Sequence, residues 1–311
     1  MKKISAIIAC YKDEEAIPVM YRRLAVALKK LPVGYEIIFV NDGSPDNSEA
    51  VLSNVAKKDK RVIVINHSRN FGSQMAFTSG MEIATGDAVV LLDGDLQDPP
   101  ELIVQFFKKW QSGFDVVYGI RTKREGSRLI NLAYKLFYRL FSKLSYIKVP
   151  VDAGDFSLID KKVVRVLNSM PERDRFLRGL RAWAGFRQTG VSYVRKKRMF
   201  GQSTNNWHKN FGWARKGIFS FSYIPLEFIT YFSLVIVFFS FFGIVYQVLR
   251  QLFFPNAPHG VSTIIVLVLF LGGVQLLSLS VLGEYIGKIF EEVKGRPRYI
   301  VKSILNKPKK L

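Results

Sequence analysis

The chain has very little cysteine, since Cys10 is its one thiol in 311 residues. A single thiol excludes a disulfide framework and a metal site built from several thiolates, and it is typical of a protein whose soluble part stays in a reducing compartment. Histidine is scarce too, and His208 and His259 show no spacing typical of metal ligands. Because Cys10 lies inside an apolar run, we expect it to be a small buried side chain.

Two phosphate-binding patterns are also missing. No segment has the form G-x-x-x-x-G-K-[ST], and the first apolar run is followed by Tyr11, Lys12 and Asp13, where a dinucleotide-binding fold places glycines. These absences argue against a P-loop nucleotidase and against a nicotinamide-dependent dehydrogenase.

Acidic residues are scarce in only one part of the chain. Residues 1–120 contain 14 Lys or Arg and 15 Asp or Glu, whereas residues 121–311 contain 32 and 10. The second part also holds the longest apolar runs, and cations interleaved with such runs favour an anionic membrane surface over nucleic acid. We therefore expect a bilayer partner and no nucleic-acid binding.

Two uncharged runs, 228–249 and 261–282, predict a transmembrane hairpin over 228–282. Each is 22 residues long, which corresponds to roughly 33 Å of helix and is enough to cross a bilayer. The segment between the runs has one formal charge, whereas residues 283–311 carry eight Lys or Arg. By the positive-inside rule this multi-pass arrangement predicts a basic cytoplasmic tail over 283–311 and cytoplasmic termini at a cell membrane.

The neutral part is predicted to be an α/β domain. Five short apolar runs, ISAIIA, EIIFV, RVIVI, AVVLL and DVVYG, alternate with helical patterns, which favours a doubly wound, Rossmann-like parallel sheet within a domain over 1–204. Ligands of such sheets bind beyond the carboxyl ends of the strands. The residues that follow each run are therefore the candidates for a functional site.

Carboxylates cluster at two of these strand ends. Asp93, Asp95 and Gln97 follow the AVVLL run and offer the oxygen ligands that Mg²⁺ or Mn²⁺ prefers. At the second strand end, Asp46 follows the EIIFV run. Asp46 and Asp98 are each expected either to join this site or to cap the next helix. The residues His67, Arg69 and Asn70 after RVIVI are expected either to bind an anion or to form a solvated loop.

Two segments of the basic part are predicted to lie at the membrane interface. Over 127–149, Lys135, Arg139 and Lys143 recur every four residues beside a leucine stripe, as in a basic amphipathic helix. The juxtamembrane segment 205–227 mixes tryptophan and phenylalanine with lysine and arginine, which suits the boundary of a bilayer.

Several segments, in their order along the chain, carry a family resemblance. They are Tyr11 after the first strand, VNDGSPDNS at 40–48, NFG at 70–72, LLDGDLQDPP at 91–100 and AGDFSLID at 153–160. Together they resemble family 2 glycosyltransferases of the GT-A fold. LDGDLQDPP, RFLRGLRAW and the terminal hairpin are similar to the polyprenyl-phosphate glycosyltransferases within that family.

The resemblance implies roles for individual residues. It assigns nucleotide binding to Ala9, Tyr11, Asp13, Val40, Asp42, Asp93 and Gly94, and a Mg²⁺ or Mn²⁺ ion to Asp93, Asp95 and Gln97. It places Asp95 and Asp155 in the catalytic set and gives the acceptor phosphate to Arg121, Arg128 and Arg198. A phosphate acceptor is already anionic near neutral pH, so Asp155 is expected either to orient the acceptor or metal or to act as a base.

These expectations combine into a membrane-bound, inverting glycosyltransferase. It would move one sugar from a nucleotide sugar, with UDP-glucose favoured, to polyprenyl (undecaprenyl) phosphate at the cytoplasmic face. A GDP-mannose-dependent mannose synthase has the same chemistry and stays open. A processive polysaccharide synthase fits less well, because residues 178–183 lack its Q-x-x-R-W signature and one hairpin is too small for a polymer channel.

A non-catalytic lipid-binding adaptor would have no need of the Asp93–Gln97 motif. Glycines at 243, 272 and 273 would allow close helix packing, so a homo-oligomer is compatible with the sequence.

Overall fold

The computed structural model describes residues 2–122, 153–195, 198–200, 222–253 and 260–307. These residues fall into two compact units, one within 1–142, 147–210 and 296–311 and the other within 211–295. The predicted helix over 127–149, with Arg128, and most of the juxtamembrane segment 205–227 lie outside the described residues.

The first unit is built on an eight-stranded sheet with the order β7-β5-β6-β4-β1-β2-β3-β8. The strands are β1 (Lys3–Cys10), β2 (Gly34–Asn41), β3 (Val62–His67), β4 (Ala88–Asp93), β5 (Val116–Arg121), β6 (Ala153–Asp160), β7 (Gln188–Tyr193) and β8 (Val301–Leu305). The first five correspond to the five predicted runs, and the α/β class is confirmed.

The sheet is mixed, although the strands predicted from the sequence all run in one direction. β1 pairs in parallel with β2 and β4, and β2 with β3. β6 is antiparallel to both β4 and β5, which leaves β5 parallel to β4, and β8 is antiparallel to β3. The doubly wound parallel arrangement therefore holds for the predicted strands, and β6 and β8 are additions to it.

Helices cover both faces of this sheet. They are α1 (Ala16–Lys29), α2 (Ser48–Lys58), α3 (Ser73–Ile83), α4 (Ile103–Gln111), α5 (Lys161–Ser169) and α6 (Leu177–Trp183), with a short 3-10 turn at Pro100–Leu102. In α1, Ile17, Met20, Leu24 and Leu28 recur every three or four residues and are buried, so they form one apolar face against the core. Burying each such side chain stabilises the fold by about 1.5–3 kcal/mol relative to its exposure. Cys10 is buried in the same core, as expected.

The second unit consists of two long helices, α7 (Ile224–Phe253) and α8 (Val261–Val293). Within them, Ile224–Tyr246 and Leu267–Val293 have mean hydropathies of 2.4 and 1.8 and are long enough to cross a membrane. Apolar side chains along both helices are exposed, among them Phe238 and Leu269. Such large exposed apolar surfaces mark contact with a membrane or a partner.

β8 lies within residues 283–311, which were predicted to form a basic tail. Val64 pairs with Leu305 and Asn66 with Ser303, so this strand covers the edge that β3 would otherwise expose. An uncovered edge strand presents unpaired backbone groups to other chains. Residues after α8 therefore complete the sheet of the first unit.

Candidate active site

The carboxyl ends of β1, β2 and β4 meet at one edge of the sheet. Ala9 of β1 is paired in register with Val40 of β2 on one side and with Asp93 of β4 on the other. Parallel pairing brings these three residues together because Asp93 is the last residue of its strand and Ala9 and Val40 are each one residue before the end of theirs. The structure thus joins residues that are far apart along the chain.

The turn after β4 is fastened to the end of β1. The Gly94 amide donates to the carbonyl of Ala9 at 2.8 Å. A Cβ on Gly94 would lie 3.0 Å from that carbonyl oxygen and from Oδ2 of Asp13. Leu96 is buried with a φ of 60°, and the Gln97 amide donates to Oδ1 of Asp95 at 3.1 Å. The turn therefore holds Asp93 and Asp95 in fixed positions.

Asp93 lies in a strongly negative environment. Burial raises its pKa to about 8, with further upward contributions from the charges of Asp95, Asp98 and Asp155. A carboxyl group surrounded by three others retains its proton unless a cation compensates the charge. This edge is therefore suited to bind a cation.

Two arginines of the segment after β7 face these carboxylates. Arg195 lies 3.8 Å from Asp95 and 3.5 Å from Asp98. Arg198, which the resemblance assigns to an acceptor phosphate, donates to Oδ1 of Asp13 at 3.3 Å and lies 4.0 Å from Asp95. The segment thus brings positive charge to the acidic edge, where it can also meet an anionic ligand.

Asp98 belongs to this cluster rather than to a helix cap. It is fully buried and accepts a hydrogen bond from the hydroxyl of Tyr193, at the end of β7. Arg121 lies 3.6 Å from Asp98 and donates from Nε to the Tyr193 hydroxyl at 3.3 Å. Burial, and then the charge of Asp98, raise the pKa of Tyr193, which therefore keeps its proton as the donor. Arg121 is held at the same edge.

Asp46, by contrast, connects the turn before α2 to the loop after β1, since its Oδ2 accepts from the Glu14 amide at 3.2 Å. Its Oδ1 accepts from the Ser44 hydroxyl at 2.6 Å and from the Ser48 amide, where α2 begins, at 3.1 Å. Of the two roles predicted for Asp46, the structure supports the one at the start of α2 rather than a place in the cation site.

Asp13 points back toward the first strand. Its Oδ2 accepts from the backbone amide of Tyr11 at 3.0 Å, and the carboxyl group is buried. Burial raises its pKa to about 6, although the Tyr11 amide and the charge of Arg198 oppose the increase. Asp13 therefore links the loop after β1 to the segment that carries Arg198.

Asp42 is engaged by the loop that follows β3. Its Oδ1 accepts from the Phe71 amide at 2.9 Å and lies 2.8 Å from Nδ1 of His67, while Oδ2 accepts from the Gly72 amide at 2.7 Å. A Cβ on Gly43, where φ is +61°, would lie 2.3 Å from the carbonyl carbon of Arg69, so this approach requires glycine. Asp42 thus holds the 67–72 loop against the sheet edge.

Asp155 is neutralised by a neighbouring arginine. Nε and Nη2 of Arg178 each donate to one of its oxygens at 2.9 Å, and Gln74 Nε2 donates at 3.2 Å. Burial acts to raise the pKa of Asp155, but the charge and hydrogen bonds of Arg178 outweigh it and hold the pKa below the usual value. The group is anionic and already bound, which suits positioning better than proton abstraction.

Four residues at this edge were not predicted from the sequence to belong to the site: Gln74, Arg178, Tyr193 and Arg195. Tyr193 and Arg195 stand at the end of β7, so recognising that strand would have pointed to them. No group of three His, Cys, Asp or Glu side chains is arranged to hold a metal ion in the parts of the chain that the structure describes.

Comparison with known proteins gives a consistent result. The family model for "Glycosyl transferase family 2" matches residues 5–167. A bactoprenol glucosyl transferase of Shigella phage SfII is 40% identical over 301 residues, covering 96% of this chain and 97% of the relative. An uncharacterized glycosyltransferase of Synechocystis is 41% identical over 303 residues, covering 97% and 95%. Together with the mixed sheet, the family match confirms the expected fold class.

Among solved structures, glucosyl-3-phosphoglycerate synthase from Mycobacterium tuberculosis, in complex with Mn²⁺ and UDP-glucose, is 18% identical. Its alignment covers 70% of this chain and 77% of that chain, with a TM-score of 0.45.

Proposed function

The chain belongs to glycosyl transferase family 2, and from that premise we propose that it transfers one sugar from a nucleotide sugar to polyprenyl phosphate at the cytoplasmic face of a membrane. The observation that carries the proposal is the concentration of four carboxylates, from Asp13, Asp93, Asp95 and Asp98, at a sheet edge that also carries arginines. Carboxylates suit a divalent cation, and arginines suit phosphate oxygens.

The residues at this edge fit a Mg²⁺ or Mn²⁺ ion. The pKa of Asp93 is raised by burial and by the neighbouring charges of Asp95, Asp98 and Asp155, which a bound cation would offset, and the turn that fixes Asp93 and Asp95 also carries the amide oxygen of Gln97. These three residues would hold the ion, leaving other coordination positions to diphosphate oxygens. A bound divalent ion would neutralise charge on the departing nucleotide diphosphate.

Arginines at this edge would bind phosphate oxygens where the acceptor phosphate approaches the diphosphate of the donor. Arg121 is positioned by Asp98 and Tyr193, and Arg198 by Asp13. Their planar guanidinium groups match phosphate oxygens in two-point contacts. We assign the acceptor phosphate to Arg121 and Arg198, with Arg128 as a third candidate outside the described residues. The nucleotide would lie against Ala9, Tyr11, Val40 and Gly94, bordered by Asp42.

A phosphate acceptor needs no general base, because it attacks as an anion in a single displacement that inverts the anomeric carbon. Asp155 would then orient the site through Arg178 and Gln74.

The lipid acceptor is supported by the two long apolar helices and by relatives named for bactoprenol. These relatives match over nearly their whole length, and their names specify glucosyl transfer. We therefore favour UDP-glucose as donor and an undecaprenyl-type phosphate as acceptor. In this arrangement both termini and the first unit lie on the cytoplasmic side.

The test is a transfer assay with purified protein in detergent. UDP-glucose, UDP-N-acetylglucosamine and GDP-mannose would each be offered with undecaprenyl phosphate and Mn²⁺, and lipid-linked sugar and free nucleotide diphosphate would be measured. We expect glucosyl lipid and UDP in equal amounts. Product from GDP-mannose alone would establish the mannose synthase instead, and no product with any donor would contradict the proposal.

A further inference from the structure

The segment after α8, residues 296–306, lies along the sheet edge next to the 67–72 loop. β8 pairs antiparallel with β3 up to His67 opposite Val301, and the register shifts between Asn66 and His67. The pairing is extended by the Ser68 amide, which donates to the carbonyl of Ile300 at 3.0 Å. Such irregularities redirect side chains and are common beside active sites. We call residues 296–306 the C-terminal segment.

Tyr299 of this segment holds the side chain of His67. The two rings stack with centroids 5.2 Å apart and an interplanar angle of 15°. The Tyr299 hydroxyl donates to Glu82 on α3. The imidazole is fully buried, with Nδ1 2.8 Å from Asp42 and Nε2 2.9 Å from the Ser79 hydroxyl. His67 is therefore confined by the C-terminal segment, by α3 and by the end of β2.

The contacts continue from His67 to the candidate active site. Asp42, which contacts His67, accepts from the amides of Phe71 and Gly72. Gly72 precedes α3, and Gln74 in the first turn of that helix donates to Asp155. Each step is a direct hydrogen bond or a chain connection of two residues.

From these contacts we propose that Tyr299 and His67 are positioning residues for the nucleotide donor. The stacked tyrosine fixes the imidazole, the imidazole fixes the carboxylate of Asp42, and Asp42 fixes the 67–72 loop in the conformation that borders the nucleotide. The C-terminal segment thereby controls donor affinity, in addition to covering the edge of β3. The inference rests on the proposed function in taking a nucleotide sugar as the donor.

A purely structural role for the segment makes a different prediction. If the segment only covers the edge of β3, any variant that loosens it should lower stability without a specific effect on the donor. Lys302 provides the matched control, since its exposed ammonium group lies 3.0 Å from Glu49, on α2. Lys302→Ala removes an attachment of the same segment while leaving the stacked rings in place.

The experiment compares Tyr299→Ala, Tyr299→Phe and Lys302→Ala in the full chain. Calorimetry would measure the Kd of UDP with Mn²⁺, kinetics would measure donor KM and kcat, and hydrogen exchange would follow the Phe71 and Gly72 amides. For Tyr299→Ala we expect the Kd of UDP and the donor KM to rise roughly three- to tenfold, with kcat within about twofold. We expect faster exchange at both amides in that variant. Tyr299→Phe keeps the ring and should match the parent protein, as should Lys302→Ala.

Two results would overturn the inference: unchanged UDP affinity in Tyr299→Ala, or an equal loss in Lys302→Ala. If Tyr299→Ala does not fold, Tyr299→Leu keeps apolar volume without a ring and is expected to show the same rise in Kd. If the parent protein binds no UDP, the proposed function is contradicted. If the parent and Tyr299→Ala bind UDP with equal affinity, only the role of the tyrosine is contradicted. The exchange rates of the loop amides test the contact chain without nucleotide.

Discussion

Individual carboxylates at the sheet edge differ in what surrounds them. Asp93 and Asp95 were predicted as site residues because they follow an apolar strand, and a local pattern of that kind is visible in sequence. The sequence does not predict their charged partners. Arg195 is 100 positions beyond Asp95 and is brought near it by the order β7-β5-β6-β4 in the sheet. The hydrogen bonds of Asp42 are likewise not visible in the sequence, because the backbone amides that donate to it, those of Phe71 and Gly72, lie 29 and 30 positions away.

Asp95→Asn tests the cation site. The substitution removes a negative charge but keeps the side-chain volume, so we expect transfer to fall roughly 100-fold or more and the response to Mn²⁺ to weaken. Asp46→Asn is the control, since that carboxylate serves the turn before α2. Initial rates over a Mn²⁺ titration give both quantities. Equal activity of Asp95→Asn and the parent would exclude Asp95 from the cation site.

Asp155→Asn separates orientation from proton transfer. The substitution removes the charge that Arg178 binds in two hydrogen bonds, so we expect kcat to fall at least about tenfold because the acceptor is misplaced. No limb of the pH–rate profile between about pH 6 and 9 should disappear, because the lowered pKa of Asp155 keeps it ionised over that whole range; a limb due to Asp93 should only move to lower pH, since the charge of Asp155 contributes to the raised pKa of Asp93. The loss of an acidic limb in the variant would identify Asp155 as a base after all.

Secondary-structure elements were predictable where their pattern is regular. β1 to β5 and the two long helices were found from continuous apolar runs, whereas β6 contains the buried polar residues Asp155 and Ser157, and β7 is largely half-buried. β8 has five residues within a basic stretch. α8 extends past the predicted end at 282 to Val293, shortly before Gly295, whose φ of 69° suits a helix terminus.

Gly94→Ala tests the turn that positions Asp93 and Asp95. The added Cβ would lie 3.0 Å from the Ala9 carbonyl oxygen, a backbone atom that can give way only if the end of β1 shifts, so we expect a stability loss of about 1–3 kcal/mol and weaker UDP binding. Gly34→Ala is the control because its Cβ would meet no atom closer than 3.9 Å. Denaturant unfolding and calorimetry provide the comparison. Equal stability of the two variants would mean that the turn accommodates a methyl group.

For the whole molecule, the pKa of Asp93 links stability to pH and to cation binding. The pKa is about 8 in the folded state against an ordinary value of 3.8, so the folded protein binds the proton more tightly than the unfolded chain. The contribution of Asp93 to stability is therefore fully present below about pH 4, is lost as pH rises to about 8, and does not change above that range. A divalent cation that binds ionised Asp93 should reverse this loss.

We accordingly expect Mn²⁺ to raise the Tm more at about pH 8 than at about pH 6, where it must displace the proton of Asp93. Thermal unfolding of the detergent-purified protein with and without Mn²⁺, across that interval, measures the effect. In Asp93→Asn both the decline with pH and the response to Mn²⁺ should be smaller. A Mn²⁺ shift that does not change with pH would contradict the linkage.

The antiparallel strand β8 also sets an order of events during synthesis. Asn66 and Ser303 are hydrogen-bonded although 237 positions separate them, and α7 and α8 are translated in between. At about 5–20 residues per second, the outer edge of β3 stays uncovered for roughly 12–50 s until its neighbour has been synthesised. During that interval the nascent enzyme has an exposed strand edge that could pair with other chains. A chaperone that binds the nascent chain would therefore act mainly in this period.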